Sequence, residues 1–153
     1  MRRIVFGLLV AGVLSSATAT AAHAAFYVGG GKGIKVAFRV RGDKVIAAAV
    51  TTRLYCKREE SRLSRHFRKG YASPDYPLRL NARGVFSWDT TGRRQEESFT
   101  QEEFLSGHVG PKFVVGRFGY YESRSYEKQR LRCQTGSYPF GDYEVKFRAR
   151  RRS

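Results

Sequence analysis

A two-residue alternation of apolar and polar side chains constrains this chain more than any other feature. Ile34, Val36, Phe38 and Val40 interleave with Lys35, Ala37, Arg39 and Arg41. Successive side chains of a strand point to opposite faces, so this segment reads as a strand with one buried and one wet face. Gly42-Asp43 then supplies a tight turn. The chain returns from Lys44 to about Cys56, with Ile46, Ala48, Val50, Thr52, Leu54 and Cys56 on one face and Val45, Ala47, Ala49, Thr51, Arg53 and Tyr55 on the other. The alanine run 47–49 is helix-compatible, but its β-branched flanks and the preceding turn favour a strand.

The same pattern recurs downstream. Lys112–Ser123 alternates Val114, Gly116, Phe118 and Tyr120 with Phe113, Val115, Arg117 and Tyr121. Tyr143, Val145, Phe147 and Ala149 alternate with Glu144, Lys146 and Arg148. Shorter strands are expected at 78–80, 85–88, 97–99, 104–109 and around Leu131 and Cys133, with Asn81–Gly84 and Gly110-Pro111 as turns. Asp89–Arg93 reads as a loop. Ser61–Gly70 is the one segment that suits a short helix, because Leu63 and Phe67 stand four apart. Gly29–Gly33 reads as a flexible entry to the first hairpin. The expected fold class is all-β: a single antiparallel β-sandwich, or a small barrel, of eight or nine strands with one disulfide.

Residues 1–24 have a different character. Arg2 and Arg3 precede an apolar run, Ile4–Leu14, and a small, polar stretch ends in Ala22-His23-Ala24. That is the pattern of an export signal cleaved after Ala24. The apolar run is much shorter than the roughly twenty residues of a spanning helix. The residue after the cut is Ala25 rather than Cys, which argues against a lipoprotein anchor. The expected product is one domain, residues 25–153, secreted or held outside the cytoplasmic membrane, with no membrane span. In that compartment the two cysteines, Cys56 and Cys133, are expected to be joined.

Charge is the strongest functional signal. The chain holds 29 Lys and Arg against 13 Asp and Glu, a net charge of +16; only Arg2 and Arg3 of those cations belong to the leader. Such a field favours anionic partners. The cations concentrate in 57–69 and at the C-terminus. The residues expected to hold a polyanion are Arg58, Arg62, Arg65, Arg68, Lys69, Arg148, Arg150, Arg151 and Arg152. Export narrows the partner to an anionic polymer or envelope component and sets genomic nucleic acid aside. A competing account is codon bias in a GC-rich genome, which explains arginine over lysine but not cations over anions. Aromatics accompany the cations: Phe118, Tyr120, Tyr121, Tyr126 and Tyr138, with Tyr71 and Tyr76 after the first cluster, and aromatic faces stack on bases or sugars.

Catalytic motifs are weak. There is no HExxH and no GxSxG, and His66 and His108 sit in separate segments. Ser125-x-x-Lys128 meets one penicillin-recognition spacing without its companion motifs. Gly29–Gly33 leads into a strand, whereas a phosphate loop leads into a helix. Carboxylates at Asp89, Glu96, Glu97, Glu102 and Glu103 offer no pair that stands out. No cofactor is implied.

Tyr27-x-Gly29 with Gly33, the strand Ile34–Val40, Gly84-x-Phe86, Gly107-x-Val109-x-x-Lys112-x-x-x-Gly116-x-Phe118 and Cys133-x-Thr135-Gly136 together resemble small secreted β-sandwich proteins of actinobacteria. The resemblance implies export and the fold, and no activity or site residue. Segments 57–69 and 150–153 fall outside it. The functional expectation is an exported polyanion-binding module. The alternative is a structural or protein-interaction domain, in an envelope assembly or as an inhibitor, with a hydrolase behind both.

Overall fold

The alternating segments pair as antiparallel hairpins into one sheet. The computed structural model describes residues 23–59, 61–94, 98–126, 129–136 and 142–153. Among the described residues ten strands run in chain order: β1 Ala25–Gly31, β2 Ile34–Arg41, β3 Lys44–Arg58, β4 Ser61–Ala72, β5 Leu78–Arg79, β6 Val85–Arg94, β7 Ser98–Val109, β8 Phe113–Tyr126, β9 Gln129–Gln134 and β10 Glu144–Arg152. The order across the sheet is β10-β1-β2-β3-β9-β8-β7-β6, with β4 and β5 added on β3. A further pairing of β10 with β8 joins the path into a circuit through β1, β2, β3, β9, β8 and β10. No helix occurs among the described residues.

The apolar phases meet inside this curved sheet. Ile34, Val36, Phe38, Val50, Leu54, Phe86, Leu105, Val114, Phe118, Phe147 and Ala149 are all buried. Phe38 packs between Phe86 and Phe147, with ring centroids 5.6 and 5.5 Å away. Cys56 and Cys133 stand directly opposite each other on β3 and β9 and are bonded. Cys56 keeps the buried phase, so the bond lies on the inner face.

Four local expectations are corrected. Residues 61–70 form a strand: the Leu63 and Phe67 spacing that suits one helix face also fits one face of a strand, and pairing along β3 gives every residue from Ser61 to Gly70 a cross-strand partner. Residues 89–93 continue β6, paired against β7 from Asp89↔Phe104 to Arg93↔Thr100. Gly29–Gly31 belong to β1, which is pinched between β2 and β10; a Cβ on Gly29 would fall 2.2 Å from the Arg148 carbonyl oxygen. Finally, Val45 joins the core while Ile46 is half-buried, because the register steps from Arg39↔Ala47 to Val40↔Val45 and leaves Ile46 unpaired.

An opening in the sheet follows from the pairing. β2 and β9 share one edge of β3: β2 leaves at Thr52 and β9 joins at Tyr55. β10 and β9 likewise share one edge of β8, changing over between Gly119 and Tyr121. Thr135 fills the step on β8. Its N–H donates to the Tyr120 carbonyl at 3.0 Å, and its hydroxyl oxygen accepts from the Tyr120 N–H at 3.0 Å. Next to it a recess of about 500 Å³ stays open.

Candidate polyanion-binding face

Cross-strand partners share a face, so the register sorts the cations into those inside and those outside. Three outward rows cross β3. In the first, Arg79, Lys44 and Arg41 stand opposite one another on β5, β3 and β2. In the second, Arg68 on β4, Thr51 on β3, Lys35 on β2, Gly30 on β1 and Arg148 on β10 follow in register. In the third, Arg62, Lys57 and Arg132 lie on β4, β3 and β9. At ~3.3 Å per residue, Lys44 to Lys57 is a track of roughly 40 Å. Arg53 and exposed Tyr55 lie on β3 between the second and third rows.

The second row continues onto β10. Arg150 and Arg152 share the outward phase of Arg148, opposite Val28 and Phe26. The Arg148 guanidinium sits 3.7 Å from the Phe113 ring centre, a cation–π contact that also braces the side chain. Lys146 stands opposite Arg117, which is bonded to Glu144 at 3.1 Å.

Two of the acids turn inward instead. Glu103 and Glu122 are both 2 % exposed. The Lys69 ammonium lies 2.7 Å from Glu103, which also accepts from the Tyr71 hydroxyl and from Gln101 at 3.2 Å. Glu122 accepts from the Tyr120 hydroxyl and pairs with Arg65 at 3.4 Å and Arg124 at 2.5 Å. Burial, reinforced by hydrogen bonding to these carboxylates, pushes both phenols well above the usual tyrosine range. Tyr143 donates to Glu102 at 2.7 Å, and that bond, with partial burial, pushes its phenol up to about 12. Both buried carboxylates are thus held by phenols and cations that fasten β4 to β7 and β8.

The nine cations singled out in the sequence therefore divide. Arg62, Arg68, Arg148, Arg150 and Arg152 lie on the outer face, and Arg68 and Arg148 fall in one row. Arg65 and Lys69 turn inward to the carboxylates. Arg58 ends β3 in the phase of Cys56, and Arg151 lies opposite Tyr27, in the phase alternate to Arg150. The face also holds Lys35, Arg41, Lys44, Arg53, Arg79 and Arg132, which stand outside the dense cationic clusters, and Lys57 and Lys146, which begin those clusters but were not among the nine. Their signal was phase: Lys35 and Arg53 alternate with the core residues of their own strands. Tyr71, Tyr120 and Phe118 are buried, so they stack on nothing outside. Residues 1–22, Glu96, Glu97, Lys128 and Tyr138 lie outside the described residues. Among the described residues no helix is long and apolar enough to cross a membrane. Compared with protein-family models, curated proteins and solved structures, the chain matches none of them.

Proposed function

We propose that this protein is an exported binding module that holds an anionic polymer along the outer face of β3 and its neighbours. One observation carries the reading: three successive rows across β3 hold cations and no acid, and in the first and third the cations stand directly opposite one another on adjacent strands. Like charges directly opposite each other destabilise a sheet. A surface that needs only solubility intersperses signs, whereas a surface that tracks a polyanion gains from rows of cations. The leader and the bonded cysteine pair support a place outside the cytoplasm.

The test is a pair of charge reversals of equal size. K35E/R68E breaks the second row, while R83E/K112E changes exposed turn residues off the rows. Retention on an immobilised sulfated polysaccharide is compared with retention on a plain sulfonate exchanger. K35E/R68E is expected to lose the polysaccharide's excess retention and to flatten the dependence of log affinity on log salt, since fewer counterions are displaced. R83E/K112E is expected to shift both columns alike. Equal loss from the two variants would leave net charge as the whole explanation and sink the reading.

A further inference from the structure

We infer that the opening between β2, β9 and β10 is a subsite for one charged sugar residue, making the polymer on this face an acidic polysaccharide. This rests on the polyanion reading and narrows it. The recess of about 500 Å³ falls within the usual range of small-ligand sites. It sits between the second and third cationic rows, where the strand changeovers leave the sheet open.

Its lining is chemically mixed. Lys32, Arg53 and Lys146 supply three cations, and Asp142 and Glu144 supply two carboxylates. A phosphate-rich chain places negative charge at every unit, and these carboxylates repel it. A sugar ring places hydroxyls around a single charge. Carboxylates accept from hydroxyls while the cations hold a uronate or sulfate group. The Asp142 carboxylate is fixed by the Glu144 N–H at 2.8 Å, and Glu144 by Arg117, so both acceptors are held in place. Thr52 donates to the Gly33 carbonyl at 2.8 Å and anchors the β1–β2 turn at the rim.

Tyr55 completes the site. It is 41 % exposed, lines the recess and stands on the outer face of β3. The C–H face of a pyranose packs on an aromatic ring, and the phenol adds a polar handle. Gly33 and Gly136 leave two points of the wall bare, so a ring can lie close to the backbone there.

The experiment measures binding of a uronic-acid oligosaccharide and of a linear polyphosphate of equal charge to the full domain. Tyr55→Ala is expected to weaken the oligosaccharide about tenfold and to leave polyphosphate within twofold. Tyr55→Phe keeps the ring and is expected to retain most of the oligosaccharide affinity, and an unchanged unfolding midpoint of Tyr55→Ala separates a lost contact from a lost fold. Equal weakening of both ligands by Tyr55→Ala, or of neither, overturns the sugar subsite. If K35E/R68E lowers binding no more than R83E/K112E, the polymer-binding reading itself falls, whatever Tyr55 does.

Discussion

Glu103 and Glu122 are the residues on which the inner face is balanced. A buried carboxylate carries a desolvation cost of several kcal/mol unless charge and hydrogen bonds offset it. Here a phenol lies against each, with Lys69 or Arg65 reaching in from β4. Tyr71→Phe removes one donor and leaves Glu103 with Lys69 and Gln101. The expected loss is about 1.5–3 kcal/mol, the range for a hydrogen bond to a charged group, read as a lower urea midpoint. The phenols also set a pH dependence. Each has a folded pKa above the unfolded value of about 10. Their contribution is therefore complete below pH 10 and declines above it, as the unfolded chain ionises first. For Tyr143 the decline ends once its own value of about 12 is passed. Urea midpoints from pH 9 to 12 should hold and then fall, and Tyr143→Phe should make the fall shallower between 10 and 12. A midpoint unchanged up to pH 12 would contradict this.

At the scale of elements, the glycines of β1 and β8 mark where strands are squeezed. A Cβ on Gly116 would meet the Ser106 carbonyl oxygen at 2.2 Å and the Phe147 ring at 2.6 Å. Neither neighbour is free to swing away, since one is backbone and the other is core. Gly70, on β4, would meet only the Ala48 carbonyl at 3.8 Å, an ordinary contact. Gly116→Ala is expected to cost about 2 kcal/mol or more, and Gly70→Ala to stay within about 1 kcal/mol of the parent. Thermal unfolding of the two variants side by side checks the ordering. This contrast also shows what the sequence reveals about elements. β2, β8 and β10, and β3 from Ala48 on, were legible because their core residues recur at every second position. β4 was not, because Arg65 and Lys69 occupy its inward phase where apolar residues are expected. β1 was hidden by three glycines, whose lack of side chains is a packing requirement here. The outer cationic rows were legible only once the register was known, since they join residues from different strands.

For the whole molecule, the decisive question is whether folding organises the charge or merely carries it. Net charge belongs to composition and is the same in the unfolded chain, so an unfolded polycation binds polyanions too. A ligand raises the unfolding temperature only by its preference for the folded state. If the rows on β3 focus the field, the folded protein wins that competition; if the arginines reflect composition alone, the flexible unfolded chain wins, because it can wrap the polymer. Scanning calorimetry with an acidic polysaccharide, at concentrations too low for general salt effects, reads the difference. The unfolding temperature of the parent is expected to rise by a few degrees, since about 1 kcal/mol of net preference moves a domain of this size by roughly 2–6 °C. R83E/K112E should keep the rise and K35E/R68E should lose it. A fall in the parent's unfolding temperature would mean that the polymer prefers the unfolded chain, and that the cationic rows on β3 do not form a binding face.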